Sequence, residues 1–152
     1  VLVVDGDALC ACDFADTEGR MRELLVRRYG ALSLDPTSDP HGFSSQLRAY
    51  FQGDQHSLED IPVTLGGTPF QQLVWSALRR IPVGTTLTYA QLAAELGQPT
   101  AYRGVGAANA RNPAGIVVPC HRLLGSDGSL TGYSGGTWRK RWLLEHEGVH
   151  VR

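Results

Sequence analysis

Pro119-Cys120-His121-Arg122 sets a thiol directly before an imidazole and a guanidinium, at the end of the β-branched run Ile116-Val117-Val118. The thiolate form of cysteine is the nucleophile, and a neighbouring imidazole or cation lowers a thiol's pKa. A depressed pKa is therefore expected for Cys120. A lone buried cysteine is also a common packing residue, so both readings stand on these residues alone. Downstream, Thr131-Gly132-Tyr133-Ser134-Gly135-Gly136 is a glycine-rich loop carrying an aromatic ring and hydroxyls, suited to a flat aromatic guest. Glu147 ends the last apolar-patterned segment, and a carboxylate brought back beside His121 would orient the ring and assist proton transfer. Such a set suits nucleophilic chemistry at the sulfur.

These groups need a folded support. With 152 residues, 42% hydrophobic and 19% charged, the chain can build a core, and fibrous or disordered readings are excluded. It has no apolar run long enough for a membrane span, and no signal peptide is visible. It opens at Val1 rather than at a methionine, as a trimmed chain would. Cys10, Cys12 and Cys120 are too few, and odd in number, for a disulfide scaffold. A reducing, cytoplasmic setting is expected. Cys10 and Cys12 alternate along an expected strand, which would turn them the same way.

The net charge of −1 hides a division. Residues 1–60 hold 5 Lys/Arg and 11 Asp/Glu, and residues 61–152 hold 9 and 4. The later part suits phosphates while the earlier part avoids them, although a solvated face gives similar counts.

Turn signals around Gly6 predict a hairpin over residues 1–14. A helix is expected over 17–29, capped by Thr17 and ended by Gly30. A loop follows, then a short helix over 43–52 and an extended segment over 58–65. Gly66-Gly67-Thr68-Pro69 marks the boundary between an amino-terminal domain, 1–65, and a second domain, 66–152. In the second, Thr68 and Pro69 start a helix with Phe70, Leu73, Val74, Ala77 and Leu78 inward. Thr88 caps a helix over 89–96, and another follows over 101–110 after Gly97-Gln98-Pro99-Thr100. This pair is what a helix-turn-helix requires, though any αα-hairpin also satisfies it. Gly104, Gly106, Ala107, Ala108 and Ala110 make the second helix thin, which suits tight helix packing or a narrow minor groove. A last helix over 138–147 is expected to turn Trp142 and Leu143 inward and to leave Arg139-Lys140-Arg141 as a solvated face.

Asn112-Pro113, Ile116-Val117-Val118-Pro119-Cys120-His121-Arg122, the glycine-rich continuation through Gly136 and Trp142-Leu143-Leu144-Glu145-His146-Glu147-Gly148 together resemble the signature of the O6-alkylguanine-DNA alkyltransferases. Gly67-Thr68-Pro69-Phe70-Gln71, Ile81-Pro82, Tyr89-Ala90-Gln91-Leu92-Ala93 and Arg103-Gly104-Val105-Gly106 also fit. The resemblance runs from about 66 to 148 and is closest to bacterial members, with the family's opening strand expected to be missing.

The resemblance implies an α/β protein in two parts, a small sheet-and-helix domain and a mainly helical one with a helix-turn-helix. It implies direct DNA repair, in which a flipped O6-alkylguanine, or O4-alkylthymine, gives its alkyl group to Cys120 irreversibly and once. By the same resemblance His121 takes the thiol proton through a water, Glu147 polarises His121, and Asn112 is a hinge between helix and active-site loop. Tyr133, Ser134 and Gly135 belong to the guanine pocket. Tyr89 presses on a phosphate, Arg103 fills the vacated place in the base stack, and Ala107, Ala108 and Arg111 lie at the DNA. Tyr102 and Gly104 flank Arg103 where alanines are usual, and Arg111 stands where a small residue is common. No metal or cofactor is expected. The implied partner is double-stranded DNA containing alkylated guanine, with no membrane, met by a monomer that could also pack side by side on DNA. The alternatives are a non-catalytic alkylated-base binder, a cysteine hydrolase and a helix-turn-helix regulator.

Overall fold

The computed structural model describes residues 1–151. The chain opens with an antiparallel hairpin, β1 (Leu2–Asp5) and β2 (Ala8–Cys12), reversed at Gly6 with φ +61°. Val3 pairs with Ala11 and Val4 with Leu9, so Cys10 is an extra residue opposite the pair. This bulge breaks the two-residue alternation. Cys10 packs with Met21 and Leu25, whereas Cys12 joins Leu9 in the larger core. The expectation that both thiols face one way is thereby corrected.

Helix α1 (Glu18–Tyr29) starts after a 3₁₀ turn at Ala15–Thr17. Thr17 does not cap it as expected, because its hydroxyl donates to Asp13 Oδ1 and to Phe14 O. Gly30, at φ +79°, ends the helix with its N–H on Val26 O. Helix α2 (Phe43–Phe51) buries Phe43 and Tyr50. Within the expected extended stretch, residues 58–60 form turns, and only 62–64 run beside β2, with Leu9 N–H on Pro62 O at 2.8 Å and Thr64 N–H on Leu9 O at 2.9 Å.

Helix α3 (Pro69–Arg79) begins with a full capping box between Thr68 and Gln71, and proline at its first position costs no hydrogen bond there. Its buried residues are Val74, Trp75, Ala77 and Leu78, while Leu73, expected inward, is 42% exposed. The strand β3 (Leu87–Thr88) leads into α4 (Tyr89–Glu95), again with a capping box, Thr88 with Gln91. Helix α5 (Tyr102–Ala110) crosses both α3 and α4. Trp75 Nε1 donates to Ala108 O at 2.9 Å, and a Cβ on Gly104 would stand 3.3 Å from the Phe70 ring. Glycine at 104 thus allows the close approach of α5 to α3.

The strand β4 (Leu123–Leu124) pairs in parallel with β3 and holds the preceding 3₁₀ turn, Cys120–Arg122, beside the start of α4. Helix α6 (Thr137–His146) buries Leu143, Leu144 and Lys140. Trp142 is 46% exposed, stacked on His146 and tilted against Phe51, rather than inward. Amphipathic spacing placed the helix but could not choose its inner face, since Trp138, Trp142 and His146, four residues apart, line one side while the charged Lys140 stands on the buried one.

The larger buried cluster draws Leu9, Cys12, Phe43, Tyr50, Leu58 and Ile61 from residues before 66 and Val74, Leu78, Leu92, Val105, Val118 and Leu123 from after it. One body of apolar contacts therefore joins the two parts. Among the described residues no helix is long and apolar enough to cross a membrane. The capping box at the head of α3 is a local support that can be tested. Thr68→Ala is expected to cost about 1 kcal/mol, read as a fall in Tm of about 2–4 °C for a chain of this size.

Candidate active site

The segment after α5 is folded by its own backbone and by one side chain. Asn112, buried, donates from Nδ2 to Val118 O at 2.8 Å and accepts Ala114 N–H on Oδ1 at 3.0 Å. Between these ties Val117 N–H reaches Gly115 O at 2.8 Å, a three-residue turn centred on Ile116 at φ +71°. A β-branched residue there is strained by about 1–3 kcal/mol. A second tight turn follows at Pro119, φ −81° and ψ 65°, closed by Cys120 N–H on Val118 O at 2.8 Å. These angles match an inverse γ-turn, and the proline ring already fixes φ near the required value. The β-branched run is buried as expected, but as a bent segment. β2 braces it from outside, with Cys12 N–H on Pro113 O and Gly115 N–H on Cys12 O, both at 3.0 Å.

The two turns deliver Cys120 at 6% exposure and His121 at 0%. His121 Nε2 lies 2.8 Å from Glu147 Oε2. The same carboxylate accepts Arg122 Nε at 2.8 Å, Arg122 Nη2 at 3.0 Å and the Tyr50 hydroxyl at 2.6 Å. Burial alone would raise Glu147, but the His121 and Arg122 donors outweigh it and hold the carboxyl well below the usual range. With Glu147 ionised, His121 Nε2 carries the proton and Nδ1 keeps a lone pair. Nδ1 is buried and has no hydrogen-bond partner among the described residues. Burial pushes His121 below its ordinary pKa, only partly offset by Glu147, so the imidazole rests neutral and able to accept a proton there.

The expected depression of the Cys120 pKa is overturned. Burial pushes the thiol up, and this outweighs the Asn112 hydrogen bond and the charges of Lys140 and Arg20 that act the other way. Arg122 does not serve the sulfur, because its guanidinium turns to Glu147 and to Ile81 O, 2.6 Å away. Cys120 therefore rests as a thiol and must lose its proton during reaction.

Tyr133 leans edge-on to Phe14, with ring centroids 6.5 Å apart. Burial pushes its hydroxyl far up, so it stays a donor. Gly135 is buried, and a Cβ there would sit 2.8 Å from both the Tyr133 and the Phe14 rings. Its missing side chain lets the two rings meet. Ser134 is exposed beside them. On the α4–α5 face Arg103, Ala107 and Arg111 are exposed, while Tyr89 is half-buried, with Thr131 Oγ1 3.4 Å from its hydroxyl. Ala108 was expected at the DNA, but it is 2% exposed and packs inward against α3, since its turn of α5 faces Trp75. Tyr102 is 46% exposed, so its bulk lies on the surface.

Three participants escaped the sequence. Tyr50 of α2 reaches Glu147 across 97 residues of chain. Arg20 of α1 donates to Ala110 O at 2.5 Å and to Asn112 O at 3.2 Å, capping α5 and gripping the loop from outside. Lys140, expected on a solvated face, is fully buried and donates from Nζ to Thr131 O at 2.8 Å, anchoring the glycine-rich loop. The signal available for Lys140 was its singularity, because it is the one lysine in a chain with 14 Lys/Arg.

Residues 69–149 match the family model described as the DNA-binding domain of 6-O-methylguanine DNA methyltransferase. A Shigella flexneri protein named methylated-DNA–protein-cysteine methyltransferase is 48% identical over 143 residues, 92% of this chain and 83% of that protein. A Mycobacterium tuberculosis protein of the same name is 52% identical over 127 residues, 82% of this chain and 76% of its own length. The crystal structure of Mycobacterium tuberculosis OGT in complex with DNA is similar with a TM-score of 0.80 and 42% identity, over 96% of this chain and 84% of that one.

Lys140 gives the site a pH signature. Burial lowers its ammonium to about 8 from an ordinary value of 10.5. Below pH 8 the charge is buried in the folded state, and the cost is fully present. Between pH 8 and 10.5 the unfolded chain binds the proton more tightly, so this contribution to stability rises with pH. The stability of the natural chain relative to Lys140→Met is expected to rise by about 3 kcal/mol across that window. Urea denaturation at a series of pH values measures it, and a flat difference would show that the ammonium is not desolvated.

Proposed function

The chain belongs to the 6-O-methylguanine DNA methyltransferase family, and from that premise we propose that it repairs DNA directly, moving the alkyl group of O6-alkylguanine in duplex DNA onto the sulfur of Cys120. The observation that carries this reading is the buried Cys120-His121 pair, in which Glu147 occupies Nε2 and leaves Nδ1 free as the proton acceptor.

The thiol proton goes to His121 Nδ1, through a water. The sulfur then forms a bond to the alkyl carbon while the bond from that carbon to guanine O6 breaks. The guanine leaves as an anion, its developing charge stabilised by a hydrogen bond from the Tyr133 hydroxyl, and the proton held by His121 passes to it through water. No redox partner is required and the atoms balance. The product is a thioether, which no group of this site is equipped to cleave, so each molecule acts once. A resting thiol suits this use, because a permanently ionised sulfur would be open to oxidation before a lesion arrived.

The lesion must leave the stack to reach a buried sulfur, and unstacking costs a few kcal/mol. On this reading α4 and α5 act as a helix-turn-helix whose second helix enters the minor groove. Support comes from the small residues Gly104, Gly106, Ala107 and Ala110 on α5, with Arg103 near one end and Arg111 at the other. Arg103 fills the gap in the stack, Tyr89 and Arg111 meet phosphates, Asn112 links α5 to the loop, and Tyr133, Ser134 and Gly135 hold the base. The first part of the chain, 1–65, braces the second, 66–152. Three free thiols suit a reducing cytoplasm.

Incubation with duplex DNA carrying O6-methylguanine, followed by intact mass and peptide mapping, is expected to show one methyl group per molecule, on Cys120, and none in Cys120→Ala. Release of product with repeated turnover, or an unmodified Cys120, would overturn the reading. Arg103→Ala is expected to slow repair in duplex DNA by about tenfold or more, equivalent to about 1.4 kcal/mol, while leaving the reaction with free O6-benzylguanine within about twofold. Equal losses on both substrates would remove Arg103 from the assigned role.

A further inference from the structure

Tyr50 is the next-to-last residue of α2, 1% exposed, and its hydroxyl makes the shortest of the four hydrogen bonds to Glu147 among the described residues. Packing does not explain the hydroxyl, because a phenylalanine ring would fill the same space. The bond ends on Oε2, the oxygen that also receives His121 Nε2 at 2.8 Å and Arg122 Nη2 at 3.0 Å. A carboxylate oxygen has about two lone-pair directions, so three donors on Oε2 divide its charge. What Tyr50 draws, His121 does not receive.

We propose that Tyr50 is a positioning residue for the transfer reaction, which holds the Glu147 carboxylate and limits its pull on His121, so that the imidazole remains neutral and ready to accept the thiol proton. The inference rests on the reading of Cys120 as alkyl acceptor and His121 as its base. It makes the amino-terminal part a component of the proton relay rather than a brace alone.

The sign follows from the surroundings. His121 meets Glu147, which favours its protonation, and Arg122 and Lys140, which oppose it. Tyr50 meets Glu147 and Arg122, and the His146 ring stands 5.1 Å away with Nε2 2.7 Å from Tyr50 O. Removing the hydroxyl leaves Arg122 and Lys140 in place and returns carboxylate charge to His121. The imidazolium is then better stabilised, and His121 protonates at a higher pH. Strengthening the donor does the opposite. Burial, which already pushes His121 down, acts in the same direction as Tyr50.

The test is the rate of benzyl transfer from free O6-benzylguanine to Cys120, followed by intact mass from about pH 5 to 9, the acidic limb of the profile reporting protonation of the base. Tyr50→Phe is expected to move that limb upward by about half a unit, a loss of about threefold on its steep part below the pKa of the base, with the plateau at higher pH changed far less. Tyr50→3-fluorotyrosine, a stronger donor of nearly the same shape, is expected to move it downward. An unmoved limb in a folded Tyr50→Phe overturns the proposal, as does an unmoved limb in the fluorinated chain, which decides alone if the phenylalanine variant does not fold. Failure of the natural chain to label at any pH would instead overturn the alkyl-acceptor reading, and this inference with it.

Discussion

A carboxylate sealed from water must be satisfied by the protein around it, and Glu147 imposes that condition on the whole molecule. Taking such a charge out of water costs several kcal/mol even after relaxation. Here the compensation comes from a histidine and an arginine of one turn and a tyrosine of a distant helix. Oε1 is met by Arg122 Nε, while three donors share Oε2. Each element that carries one of these donors must therefore reach the same carboxylate. The strand pairing of β3 with β4, the docking of α6 and the seating of α2 are all consistent with that demand. The same arrangement that satisfies the charge also selects the imidazole tautomer, so stability and chemistry share one set of contacts.

The reactive segment is held under tension by similar means. Asn112 bridges its two ends, β2 pins its middle and Arg20 grips its start, and together they maintain Ile116 in a conformation a β-branched residue avoids. Strain of this kind persists only where the surroundings over-determine the backbone. The gain is placement, since two consecutive three-residue turns present Cys120 and His121 at the end of a buried run without a longer loop. The thiol remains protonated there, and its activation depends on a base whose own proton affinity is reduced by burial.

α5 shows how packing and surface use the same small residues. Gly104 lets the helix approach Phe70, Ala108 turns to Trp75, and what remains outside is a narrow face with Arg103 near one end. The amino-terminal part is involved more deeply than its acidic composition suggests. Its contribution is structural at Arg20, where a guanidinium meets the carbonyl end of a helix, and electrostatic at Tyr50.

Much of this was legible in the amino-acid order. The capping residues Thr68 and Thr88 with glutamine three places on, the stop at Gly30, the break after Ala110 and the chemistry of Pro119-Cys120-His121-Arg122 are local facts, and local sterics and hydrogen bonding decide them. Family membership was likewise carried by contiguous motifs. What the sequence could not decide were relations across long separations. The bulge at Cys10 depends on which residue of β1 it faces, the inner face of α6 depends on what α2 presents, and the burial of Lys140 depends on a loop carbonyl offering itself to the ammonium. The thiol's pKa was misjudged for the same reason. Proximity in sequence put Arg122 beside Cys120, but a side chain points where its partner lies, and its partner was Glu147. Bonding within a few residues can be read from a chain, whereas the dielectric around a charge and the direction of its partner are properties of the assembled interior alone.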